Sequence, residues 1–317
     1  MARGDVRRDV RRRPTTLTAF GPGKVILLGE HGVVYGHPAL AAPLSFGVTA
    51  TATPSKRCEL VMPAGASAAA RKLLQAAFDK VAREVGSPEV KVELSSQIPL
   101  SMGLGSSGAL AVATARLLLQ AAGREASVEE VQRLAFLMEK EFHGTPSGVD
   151  HTTSARGELL YYRRAPGEAV GHAEAVKAKK PLELVIAIAG ERTGTKATVA
   201  ALRTRKEQWP ARYDRIFSSI AALVEDARFA IEEGDAPSLG DLMNMNHGLL
   251  SALGLSSQRI DSVVHGMREL GAQGAKLTGA GGDGGAVIGL FADPERVLPK
   301  LRRAGLQCFK SRIDVTT

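Results

Sequence analysis

With 317 residues, 44% of them apolar, the chain is long enough for one large domain or two ordinary ones around a sizeable core. No run approaches the roughly eighteen apolar residues of a membrane span, no apolar stretch follows the N-terminal arginines, and Cys58 and Cys308 fit neither a disulfide framework nor a zinc site, so a cytoplasmic protein is expected. Half of the net charge of +8 lies in residues 1–14, read as a disordered basic tail and not a nucleic-acid footprint because aromatics at 4% leave little for base stacking.

Residues 16–20 and 24–36 read as short strands rich in Val, Ile and Leu, broken at Gly21–Gly23 and Gly36–Pro38, an opening β meander. Residues 67–85 are Ala- and Leu-rich and predict a helix; Lys91–Ser95 alternates as a strand before Pro99 and a glycine cluster. A long helix follows over 107–120, stopped by Gly123. Ser127-Val-Glu-Glu130 is a capping box that opens the next helix, with Val131, Leu134, Ala135 and Met138 on one side and an end near His143-Gly144. A strand over 158–163 closes the first half.

The polar stretch 164–181 reads as a linker, which divides the chain into domains at 15–178 and 179–317. The second domain opens with a buried-type strand over 182–189 and continues with helices over 195–209, 211–233 and 235–253. A further helix from Ser256 is apolar at Ile260, Val263, Val264, Met267 and Leu270, and leads into the glycine loop 276–285 and a strand over 286–291. Strands mixed with helices in both halves indicate an α+β fold.

The most informative segment is Pro99-Leu-Ser-Met-Gly-Leu-Gly-Ser-Ser-Gly108, a glycine-rich turn between a strand and a long helix. Glycines let backbone approach an anion closely, and the unpaired N–H groups of a first helical turn favour negative charge, so this is a phosphate cradle. Gly103, Gly105 and Gly108 also satisfy the dinucleotide fingerprint of a dehydrogenase. That fingerprint needs an acid at the end of a second strand; here a helix, Gly123 and another helix follow, and Glu125 lies in a turn. The P-loop pattern ending in Gly-Lys-Ser/Thr is absent. Ser106 and Ser107 place hydroxyls at the helix start, within reach of a phosphate or its Mg²⁺.

Glu139, four residues after Ala135, lies near the buried face of its helix and reads either as a surface acid at the stripe's edge or as a Mg²⁺ ligand, since Mg²⁺ takes one or two carboxylates plus phosphates. Asp150 follows a turn-forming run and reads either as a helix cap or as the acid that meets an acceptor hydroxyl. Lys24, Glu30 and His31 place a cation, an acid and an imidazole in one short segment able to bracket a substrate with hydroxyls and a carboxylate. Gly279–Gly285 is a flexible loop or a second backbone surface around an anion. A kinase acting on a small metabolite accounts for this set; a non-catalytic sensor on the same fold need not retain Lys24, Glu139 and Asp150 together.

GPGKVILLGEHGVVYG, IPLSMGLGSSGA and KLTGAGGDGG resemble, in order, the three motifs of the GHMP kinases, the family of galactokinase, homoserine, mevalonate and phosphomevalonate kinases. EKEFHGTPSGVDHTTSARG is most similar to the mevalonate kinase branch. The resemblance implies a two-domain α+β fold, a ribosomal protein S5 domain 2-like N-terminal domain plus a ferredoxin-like C-terminal domain, with the active site between them. It implies ATP and Mg²⁺, mevalonate as acceptor in isoprenoid biosynthesis, and, as the alternative, phosphomevalonate or homoserine. No nucleic-acid or membrane partner is implied, and a homodimer is one option for assembly.

Carried over by motif, Asp150 is the catalytic acid and Lys24 its electrostatic partner. Ser101, Met102, Gly103, Leu104, Gly105, Ser106 and Ser107 wrap the ATP phosphates, and Ser107 and Glu139 hold Mg²⁺. Glu30, His31 and Thr195 contact the acceptor, and Gly279, Ala280, Gly281 and Gly282 form the third loop. Two departures stand out. Thr193 occupies the place of an arginine usually two residues before Thr195, with Arg192 beside it, and Asp283 replaces a glycine, its side chain expected toward solvent or a cation.

Overall fold

The computed structural model describes residues 16–99, 102–165, 168, 171–191 and 195–315, with the backbone alone described at Thr195 and Lys196. The basic tail, Ser101, Arg192 and Thr193 lie outside the described residues. No described helix is long and apolar enough to cross a membrane.

The chain opens with β1 (Leu17–Leu28), a 3₁₀ turn at Gly32–Tyr35 and β2 (Ala39–Pro54), which pairs with β1 along nearly its whole length. Gly21-Pro-Gly23 does not break β1; the strand passes through it with a register shift between Pro22 and Lys24. The strand read over 24–36 stops at Leu28, because Gly29 and His31 adopt left-handed backbone and turn the chain. β2 has no counterpart in the sequence reading. Its small alternating residues, with Val48, Ala50 and Ala52 buried, become a strand only by pairing with β1 on one side and later strands on the other.

Next come β3 (Glu59–Leu60), α1 (Ala68–Glu84), β4 (Val90–Ser96), α2 (Ser106–Ala121), α3 (Val128–His143), α4 (Val149–Arg156), β5 (Leu160–Arg163) and β6 (His172–Ala175). The expected capping box is half formed. Ser127 Oγ accepts from Glu130 N–H at 3.3 Å, while the Glu130 carboxylate turns outward to Arg124 and Arg133. β6 lies inside the stretch expected as a linker and pairs with β5 at the edge of the sheet. The six-stranded sheet runs β3-β4-β2-β5-β6, with β1 on β2. Helix α2 is buried on almost every side, through Ala109, Val112, Ala115, Leu117, Leu118 and Leu119 among others, as a helix at the centre of a domain must be.

The second half comprises β7 (Leu182–Gly190), α5 (Thr195–Gln208), α6 (Pro210–Glu233), α7 (Ala236–Ala252), α8 (Gln258–Glu269), β8 (Gly274–Thr278), β9 (Gly285–Leu290), α9 (Leu298–Arg303) and β10 (Cys308–Ile313). Its four strands pair antiparallel in the order β10-β7-β9-β8, a ferredoxin-like arrangement. Strand periodicity separates two faces: Leu182, Leu184, Ile186 and Ile188 join the core that also contains α2, whereas Val185 and Ala187 pack toward α8 and α9. The two domains therefore share apolar core. Between the two sheets, Phe46 of β2 stacks on Phe309 of β10 with ring centroids 5.0 Å apart, and Ser45 N–H donates to Ser311 Oγ at 2.9 Å.

Candidate active site

Gly103 and Gly105 both have left-handed backbone, φ 83° and 70°, and Gly105 occupies the N-cap of α2. By helix geometry the first amides of α2 have no carbonyl partner within the helix, and Gly105 has no side chain with which to cap them. They remain available to an anion. Lys24 N–H donates to the Leu104 carbonyl at 2.9 Å, so β1 and the loop are joined through backbone. A β-carbon on Gly105 would sit 2.7 Å from Lys24 Cγ; the glycine is what lets the lysine stem run beneath the loop. Leu104 itself points into the core, while Met102, Gly103, Ser106 and Ser107 are half-buried at the loop surface.

Lys24 Nζ reaches Asp150 Oδ1 at 3.0 Å, with the lysine side chain 5% and the aspartate side chain 30% exposed. Lys24 is thus a buried ammonium facing a half-open carboxylate. Asp150 is the second residue of α4, whose N-cap is Gly148 at φ 92°, so capping is not its role. Its neighbour His151 is buried against Phe136, and burial pushes its imidazole down to about 4. The ring is neutral near pH 7, and the positive charge facing Asp150 is that of Lys24.

The turn that presents Asp150 is braced by residues that the sequence did not single out. Tyr162 donates from its hydroxyl to the Ser147 carbonyl at 2.9 Å, and Arg164 Nη1 donates to the Pro146 carbonyl at 2.7 Å. Burial pushes the Tyr162 phenol up to about 12, so it remains a donor. A β-carbon on Gly148 would lie 2.2 Å from that hydroxyl oxygen. The only sequence signal was the glycine itself.

Glu139 is 2% exposed. Burial first, and the Asp150 charge second, push its carboxyl up to about 8, opposed by a hydrogen bond from Ser107 and by Lys24. Its Oε1 has no hydrogen-bond partner. One turn on, His143 brings Nε2 to 3.0 Å from Ser107 Oγ and 3.9 Å from Glu139 Oε1; its spacing of four from Glu139 was the available signal. Among the described residues no three His, Cys, Asp or Glu side chains form a metal cage. A buried carboxylate oxygen lacking a donor, with a hydroxyl alongside, nevertheless fits Mg²⁺ held jointly with phosphates.

Motif one is fastened to motif three. Thr278 Oγ1 accepts from Ile26 N–H at 3.0 Å and donates to the Ile26 carbonyl at 3.1 Å, and His31 Nε2 donates to the Ala280 carbonyl at 3.0 Å. Glu30, expected at the acceptor, has no exposed surface: Lys276 Nζ bonds its Oε1, and Asn246 Nδ2 donates to its Oε2 at 3.1 Å. Its carboxylate is thus withdrawn from the open cleft into the domain junction. In the third loop a β-carbon on Gly279 would lie 2.9 Å from Gly103 Cα, so the two glycine loops touch. Gly281 lies against the Leu255 carbonyl, and Gly282 N–H donates to that same carbonyl at 2.8 Å. Asp283 is exposed. Thr195 opens α5; its side chain lies outside what is described.

Beside the first glycine loop lies an apolar hollow of about 730 Å³, lined by Val48, Leu73, Leu94, Leu110 and Phe142 together with Ser106 and Ser107. A largely apolar lining that includes two hydroxyls of the glycine loop suits a molecule with a flat apolar base and a polar tail.

Comparison with known proteins gives matches over both domains. Residues 72–158 match the GHMP kinases N terminal domain, and residues 227–306 match the GHMP kinases C terminal domain. Mevalonate kinase of Thermococcus sibiricus is 36% identical over 295 residues, covering 84% of this chain and 86% of the relative. That of Pyrococcus horikoshii is 36% identical over 298 residues, with the same coverage of 84% and 86%. Among solved structures, L. major mevalonate kinase in complex with R-mevalonate superposes with a TM-score of 0.85 at 28% identity, over 96% of this chain and 98% of that one.

Proposed function

Because the chain belongs to the GHMP kinases, we propose that it transfers the γ-phosphoryl group of ATP to the C5 hydroxyl of mevalonate, giving 5-phosphomevalonate and ADP. One observation carries the reading: the Lys24–Asp150 pair, 3.0 Å apart, stands beside the uncapped N-terminus of α2. A carboxylate held at a phosphate site has a use in phosphoryl transfer and none in simple phosphate binding, where it would repel the ligand.

The apolar hollow takes the adenine, and the triphosphate lies over the amides of Gly103–Ser107. Mevalonate enters on the side of His31 and Thr195. Its hydroxyl oxygen bonds to the γ-phosphorus as the bond from that phosphorus to the bridging β–γ oxygen breaks, the electron pair leaving with ADP. Asp150 orients the hydroxyl and accepts its proton. Lys24 pairs with Asp150 and, with the end of α2, faces the negative charge spread over the equatorial oxygens. Ser107 Oγ and Glu139 are the residues that would hold magnesium, which when bound neutralises charge on the β and γ phosphates.

The test is ADP release with mevalonate, phosphomevalonate, homoserine and galactose in parallel. Mevalonate is expected to be turned over best. Preference for another of the four overturns the acceptor assignment, and no turnover with any of them overturns the kinase reading.

A further inference from the structure

The junction between the domains contains an ionic cluster that the mechanism above does not use. Lys276 of β8, Glu30 beyond the end of β1 and Asn246 of α7 are all fully buried. Lys276 Nζ bonds Glu30 Oε1 and donates to the Leu277 carbonyl at 2.7 Å; Asn246 Nδ2 takes the other carboxylate oxygen. Burial drives the Lys276 ammonium below the ordinary lysine value, and Glu30 opposes that shift. A buried ion pair of this kind adds little net stability over an apolar pair of the same volume, because desolvation offsets the attraction. What it does supply is fixed geometry, since the bonds of Lys276 to Glu30 and the Leu277 carbonyl, and of Asn246 to Glu30, hold the carboxylate in one place.

The geometry it fixes is that of the cleft. Glu30 with Lys276, Ile26 with Thr278, and His31 with the Ala280 carbonyl cross one gap side by side, joining the strand that carries Lys24 to the strand that leads into the third loop. That loop in turn abuts Gly103. Slippage of Glu30 against Lys276 would shift His31 and Lys24 relative to both glycine loops.

We infer that Glu30 is a positioning residue which, with Lys276 and Asn246, locks β1 against β8 and so sets the spacing between the Lys24–Asp150 pair and the acceptor wall, without itself touching the acceptor. This rests on the kinase reading of the cleft.

A double-mutant cycle on the full chain tests it, with Glu30→Gln, Lys276→Met and the two combined, each followed by thermal unfolding and by kcat and both KM values. Each single change leaves a buried partner unmatched and is expected to lower Tm by about 5–10 °C. Each should also lower kcat by on the order of 10–100-fold through misplacement of Lys24, with KM for ATP little changed. The double variant leaves no buried charge without its partner and is expected to return to within about threefold of the parent kcat. A double variant no better than Glu30→Gln alone assigns Glu30 to substrate contact and overturns the inference. Single variants that lose Tm but keep kcat make the cluster purely structural and also overturn it. Failure of the kinase reading is distinguishable, because the unaltered protein would then show no turnover while the Tm cycle still reports the pair.

Discussion

Gly108 of α2 and Asp150 of α4 are in van der Waals contact through their backbones: a β-carbon on Gly108 would lie 2.9 Å from the Asp150 carbonyl carbon and 3.0 Å from Asp150 Cβ. The third glycine of the loop is thus explained by the aspartate, not by the phosphate. Replacing it with alanine must push α4 away from α2, since the opposing atoms are backbone and cannot swing aside. Gly108→Ala is expected to lower kcat by on the order of 10–100-fold and stability by roughly 1–3 kcal/mol. Steady-state kinetics with a urea melt check this; an unchanged kcat would mean that Asp150 tolerates displacement.

Removing the acid itself separates chemistry from binding. Asp150→Ala should cost on the order of 10²–10⁴ in turnover while nucleotide affinity, read by calorimetry, stays near that of the parent. For Lys24→Met, whose ammonium lies 3.0 Å from the same carboxylate, the loss should also fall mainly on kcat. A defect confined to ATP affinity would move Lys24 from catalysis to binding.

Glu139 gives the protein a pH signature. Its carboxyl is pushed up to about 8, chiefly by burial, from the ordinary glutamate value of 4.5. Between those values the folded state holds a proton that the unfolded state releases, so metal-free stability from this group falls as pH rises through the window. Thermal melts in chelator from pH 5 to 8.5 should show that slope in the parent and a flatter one in Glu139→Gln. The same variant should require more Mg²⁺ for half-maximal activity, and an unshifted Mg²⁺ titration would take Glu139 out of the metal site.

Tyr162→Phe removes the hydroxyl that holds the Ser147 carbonyl 2.9 Å away, at the base of the turn preceding Asp150. The expected stability loss is about 1–2 kcal/mol, and kcat should drop several-fold with KM for ATP unchanged. A change in ATP KM alone would show that the brace acts on the nucleotide loop instead.

Local chemistry made much of this molecule legible. Gly103, Gly105 and Ser107, within eight residues of Pro99, read as a phosphate loop, and α2 and α3 announce themselves by periodicity and by Ser127. Strand β2 did not, because small alternating residues such as Ala50 and Ala52 acquire strand character from partners far along the chain. The turn after Leu28 was hidden for a related reason: Val33, Val34 and Tyr35 look like strand, but the left-handed backbone at Gly29 and His31 redirects them.

For the site, the residue types were legible in the chain: glycines that free backbone amides, a lysine, three acids and an imidazole in motifs of recognisable spacing. Their burial and pairing came from the folded chain. It brought Lys24 to Asp150 across 126 positions of chain, buried Glu139 deeply enough to raise its carboxyl to about 8, and withdrew Glu30 into a pair with Lys276 on the other domain. Proton affinity, burial and pairing depend on what surrounds a side chain in space, and for each of these residues those neighbours come from elements distant in the chain or from a packed helix face.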